Sequence, residues 1–470
     1  MREPIDCERR FLTPVLRLGR RDHSLVTASF FLEFSLAQTI KTIGRVLPNG
    51  DLIEIVRSSR DPRKLSLLHS DGKAVRIDER LKLHGTIYMP IAFKAGFLQA
   101  LRLPSNVAAF GSAKALIADL TKAIRNFTGL GHHFSRLAAF YFVMTWFHDC
   151  LRTAPRLSVF GSPSRAADQF MHLATAFCRH GVLLTSVSPS SLLSLPFSFG
   201  LTLLLRQCRV SAPMIQLLDA ATKPGYFVPR KGELVQPFSP VVLQSDRPLG
   251  ESADCAEIEL PLWPTRQDPP LLDRDTEETL AEQFQCRLLA FRLANFTQTR
   301  NCRFDAPDLS SPMGDTARSL GACFSNDPEL QGEIVTLLRA SDTHARILRA
   351  TNHESLAVEA LLFHAHEAQG DPGAGVHAGA LAKTIEVLSA GRGDPIKISP
   401  RAVGDLLRSL DFKTEKLDRK GRGVVLLRDI VTRIHEVASD RQVSSLAEGA
   451  PGCAQCQRMQ ELHAGGGLGS

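Results

Sequence analysis

The chain has 470 residues, of which 44% are hydrophobic and 22% are charged. These values are ordinary for a folded protein of roughly two to four domains with a sizeable core. The formal charge of +7 is mild for this length and excludes whole-chain electrostatic binding, so contact with nucleic acid would depend on a local basic patch. The ten cysteines have no disulfide framework, and residues 1–21 lack the apolar core of a signal peptide, so a cytoplasmic location with reduced thiols is expected.

Residues 1–95 are predicted to form a small β-rich region. The turn Asn49-Gly50-Asp51 precedes an apolar strand at residues 52–56, which is the pattern of a β-hairpin. Further strand candidates are residues 64–69, 74–77 and 85–89. None of these segments carries a chemical signature, so a packing or partner-binding role is expected.

Two helices are predicted next, at the start of a core domain that spans residues 96–265. Ser112–Asn126 has apolar residues at helical spacing, whereas Phe134–Cys150 is apolar nearly all round. Because a helix without a polar face is buried, the second helix is expected to pack behind the central sheet.

The stretch from residue 154 to residue 207 has the outline of an NTPase core. An apolar run ends at Gly161, as a buried strand does before a phosphate-binding turn, and a second apolar strand follows about forty residues later, where a Walker B strand would lie. The positions that we assign to nucleotide contact are Gly161, Ser162, Ser164, Arg165, Ala167 and Asp168, with Arg206 and Gln207 at the end of the second strand.

The side chains at these positions differ from those of an active P-loop. Ala167 stands where the phosphate-neutralising lysine belongs, and Asp168 replaces the hydroxyl that binds magnesium. Arg206 and Gln207 replace the acidic pair that ends a Walker B strand. The residues therefore predict an NTPase fold that has lost hydrolysis, with no catalytic residue and no cofactor; binding of ATP with magnesium is the open alternative.

The longest uncharged run, residues 181–205, is long enough to span a bilayer. Pro189 and Pro196 interrupt it, so a strand, a loop, a short helix and a second strand are predicted instead. Additional strands are predicted at residues 240–244 and 256–260. Strands that alternate with helices favour an α/β sheet between helical layers.

Residues 276–350 are predicted as a helical connector and residues 351–440 as a winged-helix-like domain. Ser399 caps a predicted helix, and a β-wing follows around residues 420–423. Residues 397–433 hold ten Lys or Arg and five Asp or Glu, a net +5 of the chain's +7. The residues that we assign to DNA binding are Arg401, Arg408, Lys413, Lys416, Arg419, Lys420 and Arg422.

Residues 441–470 are predicted as a flexible tail. It contains Cys453-x-x-Cys456 and His463, but a structural zinc site needs four ligands and only three candidates lie nearby. His364 and His366 lie two residues apart on a predicted helix and therefore face different ways. No metal site is predicted.

Residues 134 to about 266 resemble the P-loop ATPase domains of phage and plasmid primase-helicase proteins, in the broad AAA+ and superfamily III group. In that family a helix similar to residues 138–147 precedes an Ala-Pro-apolar-Gly strand like Ala154–Gly161, and the Walker B strand resembles residues 201–207. A basic helical module similar to residues 352–440 often follows. The family's arginine finger would lie near residues 253–255, where this chain has Ala-Asp-Cys.

The resemblance implies an α/β fold with a P-loop NTPase-like parallel sheet, a small β-rich N-terminal region and an α-helical, winged-helix-like C-terminal domain. The leading hypothesis is a degenerate, non-hydrolysing ATPase-like protein of a mobile genetic element that binds DNA through its C-terminal module. Expected partners are DNA, further copies of the chain and other replication or mobile-element proteins, and no membrane. One alternative is an atypical ATP-binding, helicase-like protein in which Arg165 covers the missing lysine. Another is a non-enzymatic scaffold.

Overall fold

The fold is mixed α/β and is built around a five-stranded parallel sheet. The computed structural model describes residues 38–61, 63–161, 164–207, 211–245, 257–262, 269–351, 353–368, 373–391, 396–419, 421–440, and the single residues 443, 453 and 456. Thirteen α-helices and seventeen β-strands lie within these ranges. No helix among the described residues is long and apolar enough to cross a membrane.

The N-terminal described residues form two small sheets. Their strands are β1 (Thr39–Thr42), β2 (Gly44–Val46), β3 (Leu52–Arg57), β4 (Leu65–Ser70), β5 (Val75–Asp78), β6 (Leu81–Leu83) and β7 (Thr86–Pro90). One sheet has the antiparallel order β2-β3-β4-β5, and the other has the order β1-β7-β6. Gly50 has φ 91° in the β2–β3 turn, which confirms the predicted hairpin.

Three helices connect this region to the sheet: α1 (Ala95–Ala100), α2 (Ala113–Thr128) and α3 (His132–Met144). Ser112 caps α2, because its side chain accepts a hydrogen bond from the amide of Ala115. From Leu137 to Met144 every residue of α3 is buried, as its continuous apolar sequence predicts. The Tyr141 hydroxyl donates to the carbonyl of Val241 over 2.8 Å and ties α3 to the sheet.

The next segment alternates strands with helices. Its elements are β8 (Arg156–Phe160), α4 (Arg165–Phe177), β9 (Gly181–Thr185), α5 (Pro189–Leu192), β10 (Thr202–Arg206), α6 (Ala212–Ala220), β11 (Val228–Arg230), β12 (Glu233–Val235), β13 (Val241–Ser245) and β14 (Glu257–Pro261). The central sheet has the order β14-β8-β13-β10-β9, and all its neighbouring strands run parallel. The predicted break of residues 181–205 into β9, α5 and β10 is confirmed.

The sheet is buried on both faces, which explains why its strands are apolar without a polar face. Leu204 and Val242 belong to the larger core, which includes α2, α3 and α4. Their strand neighbours Leu203, Leu205 and Leu243 belong to a second core on the opposite face, with α6. The alternation follows from the period of two residues along a strand.

Three long helices follow: α7 (Arg274–Asn301), α8 (Ser311–Ala322) and α9 (Pro328–Thr351). They pack residues such as Phe284, Leu320 and Leu338 into the larger core. The buried amide of Gln285 on α7 donates to the carbonyls of Ala176 and Cys178 at the end of α4.

The C-terminal module has its own hydrophobic core. Its elements are α10 (His353–Glu367), β15 (Gly375–His377), α11 (Ala378–Gly391), α12 (Pro400–Ser409), β16 (Glu415–Asp418), β17 (Gly421–Val425) and α13 (Arg428–Asp440). The three strands form an antiparallel sheet in the order β15-β17-β16. The hairpin of β16 and β17 lies where the sequence predicts a wing.

Candidate functional site

The candidate site lies at the carboxyl edge of the parallel sheet, where β8 ends at Gly161. The amide of Gly161 donates to the carbonyl of Ser245 over 3.3 Å, and its φ is 146°. A Cβ atom on this residue would lie 2.3 Å from the carbonyl oxygen of Leu262. Only glycine fits, because a side chain would meet the backbone of the strand extension that follows β14.

The loop after Gly161 leads into the amino end of α4. Ser162 lies outside the described residues. The Ser164 side chain caps the helix by accepting a hydrogen bond from the amide of Ala167 over 3.3 Å. Arg165 is exposed at the first position of α4, whereas Ala167 is buried. Ala167, which the sequence predicts at the position of a phosphate-binding lysine, thus packs into the protein core.

Asp168 and Arg206 form a two-pronged ion pair across this edge. The Nε and Nη2 atoms of Arg206 donate to Oδ1 and Oδ2 of Asp168 over 2.9 and 2.8 Å. The side chains are 41% and 35% exposed, so the pair lies at the protein surface. The structure thus brings together two residues that the sequence predicts on separate segments of a nucleotide site. Gln207 follows with φ 47° and is exposed.

A second set of charges continues along α4 one turn from Asp168. The Nδ1 atom of His172 lies 3.0 Å from Oε2 of Glu277. The other carboxylate oxygen of Glu277 lies 3.3 Å from Arg102. The hydrogen bond with Glu277 raises the pKa of His172, and the nearby Asp168 acts in the same direction. These contacts link α4 to α7 beside the candidate site.

The opposite, amino edge of the sheet carries a cluster of four charges, in which Glu54, Arg179 and Arg292 are buried and Asp149 is partly exposed. Arg292 donates to Glu54 over 2.7 Å and to Asp149 over 2.6 Å, and Arg179 donates to Glu54 over 2.8 Å. Burial alone would raise the pKa of Asp149, but Arg292 and Arg179 outweigh it and hold that pKa well below its usual range. The cluster joins β3, the segment between α4 and β9, and α7, and it lies away from the carboxyl edge where ligands bind in such sheets.

The predicted DNA-binding residues that the structure describes lie on α12, on the β16–β17 hairpin and, for Lys413, between these two elements. Arg401, Arg408, Lys413, Lys416, Arg419 and Arg422 are all exposed, while Lys420 lies outside the described residues.

Three of these side chains are held by contacts with neighbouring residues, and three are not. Arg408 pairs with Asp405, Lys413 lies 2.8 Å from Glu415, and Arg422 donates to the carbonyl of Thr414 over 2.6 Å. Arg401, Lys416 and Arg419 have no ion-pair partner among the described residues.

One group of side chains in the described part of the chain could hold a metal ion, and it combines His366 and His435 with Cys453 and Cys456. The sequence reasoning considered both cysteines but paired them with His463, which lies outside the described residues. His435 was missed, because it lies 69 residues from His366 and no local spacing signals their meeting. His364 contacts Thr384 instead, as expected for a residue on another side of α10.

No protein-family model and no curated protein matches this chain. Among solved structures, it is similar to the A-form apo structure of the NrS-1 C-terminal region, with 10% identity, a TM-score of 0.33 and coverage of 80% of this chain and 96% of that chain. A second structure of the same region gives a TM-score of 0.34 with the same identity and coverage. A structure of Drosophila ORC bound to DNA has 11% identity and a TM-score of 0.17 over 68% of this chain and 91% of that one. At these TM-scores the similarities carry no functional argument.

Proposed function

We propose that the parallel sheet is a degenerate P-loop NTPase core that no longer hydrolyses nucleotide, and that the chain binds DNA through its C-terminal module. The observation that carries the first part is the Asp168–Arg206 ion pair. The second part depends on the basic surface of α12 and the β16–β17 hairpin.

The position of the pair in the sheet supports the assignment of an ancestral nucleotide site. From β8 the chain crosses through α4 to β9 at the far edge of the sheet, while β14 is added on the other side of β8. The connections that leave β8 and enter β14 therefore run towards opposite edges of the sheet, which makes the end of β8 a topological switch point. Ligands of α/β sheets bind at such a point, outside the carboxyl ends of the strands. Gly161 and the amino end of α4 lie there, where amides and the helix dipole favour an anion.

The chemistry of the pair argues against magnesium. Mg²⁺ requires oxygen ligands in octahedral geometry. Both carboxylate oxygens of Asp168 accept hydrogen bonds from Arg206. Arg206 is itself a cation and stands at the position where an active site would have a metal-binding acid. The buried methyl group of Ala167 supplies no charge for the β- and γ-phosphates.

The test is ATP binding and turnover by the purified full chain, with Mg²⁺, in the presence and absence of duplex DNA. We expect no magnesium-dependent turnover above buffer, and the same result for Arg165→Ala. The competing hypothesis is an atypical ATPase in which Arg165 replaces the lysine. Turnover that is lost in Arg165→Ala and retained in Arg303→Ala, an exposed arginine outside the site, would establish that hypothesis and overturn ours.

The architecture of the C-terminal module supports DNA binding. Helices α11 and α12, followed by the β16–β17 hairpin on a three-stranded antiparallel sheet, have the order of a winged helix-turn-helix. In helix-turn-helix proteins the second helix enters the major groove with its amino-terminal residues towards the bases. Arg401 lies at that position of α12, and Lys416 and Arg419 lie on or beside the hairpin.

The DNA proposal is tested with a charge reversal and a control of equal charge change. The variant Arg401→Glu/Lys416→Glu alters the proposed surface, whereas Lys73→Glu/Arg303→Glu alters two exposed residues elsewhere. The association constant for DNA decreases with salt concentration, and its log–log slope measures the number of phosphate contacts. If each residue contacts one phosphate, the magnitude of this slope decreases by about two in the first variant and is unchanged in the control. Equal losses in both variants, or no duplex binding by the original chain, would favour the scaffold alternative.

A further inference from the structure

We propose that His366, His435, Cys453 and Cys456 form a structural zinc site that joins α10, α13 and the segment after α13. This inference is independent of nucleotide and DNA binding. It extends the sequence reasoning, which found three ligand candidates in one segment and therefore expected no metal.

The distances between the four ligand atoms carry the proposal. All four atoms lie within 4.8 Å of one another. The two imidazole Nε2 atoms are 3.1 Å apart, Cys453 Sγ lies 3.3 Å from Nε2 of His435, and Cys456 Sγ lies 3.4 Å from Nε2 of His366.

Three of the six separations match the edges of a tetrahedron around one zinc ion, and the other three are at most 4.8 Å. With Zn–N bonds of about 2.05 Å and Zn–S bonds of about 2.3 Å, the edges of the tetrahedron are about 3.3 Å between nitrogens and about 3.6 Å between nitrogen and sulfur. The observed distances agree with these edges within about 0.3 Å.

The surroundings of His435 prepare it as a ligand. Its Nδ1 atom lies 2.8 Å from the carbonyl oxygen of Val431, one helical turn earlier. A carbonyl can only accept, so Nδ1 carries the proton and Nε2 presents its lone pair to the site. This backbone contact is the usual way in which a metal-binding histidine is oriented.

The ligand set points to zinc and to a structural role. Two thiolates and two imidazoles in a tetrahedron suit Zn²⁺, and the two thiolate charges neutralise the ion. With four protein ligands, no position remains for a water or substrate. His435 and both cysteines are buried, so the ion would be shielded from solvent.

The site accounts for the placement of Cys453 and Cys456. Both cysteines are buried and neither forms a disulfide; the one other described residue after α13 is Val443, which packs into the core of the module. A metal bond to each thiolate would hold this segment against α10. His366 and Cys456 are 90 residues apart, so the ion would close a long loop of the chain.

The experiment uses the full chain, purified without chelator under reducing conditions, and measures bound metals by mass spectrometry. We expect one zinc per chain, lost in Cys453→Ser and in His366→Asn. The matched controls are His364→Asn, on the same helix but in contact with Thr384, and Cys302→Ser, a half-buried cysteine outside the cluster. Both controls should retain the full zinc content.

A second measurement needs no variant and remains valid if a variant does not fold. Replacing the metal with Co²⁺ should produce the strong visible absorption of tetrahedral cobalt together with a thiolate-to-cobalt charge-transfer band. Absence of stoichiometric metal from the original chain, or zinc retained in Cys453→Ser, would overturn the proposal.

Discussion

The buried charge cluster at the amino edge of the sheet gives the sharpest prediction about stability. Glu54 is 3% exposed on β3 and accepts hydrogen bonds from Arg179 and Arg292, which are 7% and 1% exposed. Asp149 is the second acid that these two arginines share. Two cations and two anions therefore balance in the cluster. We choose Glu54→Gln as the perturbation, because it removes one charge and keeps the shape of the side chain.

The expected cost follows from the charge that remains. Without the Glu54 carboxylate, two buried guanidinium groups share one acid, and the cluster carries an uncompensated positive charge. Removing one partner of a buried pair typically costs about 3–5 kcal/mol. Asp149 is 34% exposed and gives the cluster some access to water, so we expect the lower end, about 3 kcal/mol. This is a large part of a typical unfolding free energy of about 5–15 kcal/mol.

The assay is urea denaturation followed by circular dichroism. Glu233→Gln, on the exposed strand β12, is the matched control and should change the unfolding free energy by less than about 0.5 kcal/mol. The double variant Glu54→Met/Arg292→Met removes opposite charges and leaves the Arg179–Asp149 pair. Its loss should be smaller than the sum of the single losses by about 1 kcal/mol or more. A Glu54→Gln variant as stable as the control, or strictly additive losses, would refute the charge-balance reasoning.

Three further predictions concern the sheet and its edges. Gly161→Ala should destabilise the chain by about 1–3 kcal/mol in urea denaturation because of its backbone clash, whereas Gly332→Ala, in an open helical position, should not. Burial lowers the pKa of His148 to about 4, so stability should decrease by up to about 3 kcal/mol as the pH falls from about 6.5 to 4, and His148→Gln should reduce this slope. A double-mutant cycle with Asp168→Asn and Arg206→Met should give a coupling of only about 0.2–1 kcal/mol that decreases with salt, since the pair is partly exposed; a coupling above about 2 kcal/mol would contradict that description.

Local patterns in the sequence predicted most of the secondary structure around the sheet. The turn at Gly50, the buried α3, and the division of residues 181–205 into β9, α5 and β10 all have short-range signals, namely turn chemistry, periodicity and proline. Gly161 was also identified from its place at the end of an apolar run. The sequence does not reveal why this residue must be glycine, because the backbone that excludes a side chain belongs to Leu262, about one hundred residues later.

The contacts that define the two candidate sites depend on residues far apart in the chain. Asp168 and Arg206 were predicted as separate substitutions, and only the parallel pairing of β10 with its neighbours brings the end of that strand to α4. His366 and His435 meet because α10 packs on α13. Such encounters have no spacing rule in the sequence.

The sequence by itself determined most of the strands and helices around the sheet, where the basic residues concentrate, and which residue types stand at the positions predicted for nucleotide contact. These properties are local, since they depend on side-chain periodicity, turn residues and composition within a short window. The tertiary structure decided which charges pair, which glycine is enclosed and which thiols meet imidazoles. Those contacts follow from strand order and helix packing, which minimise the free energy of the whole core rather than of any one segment.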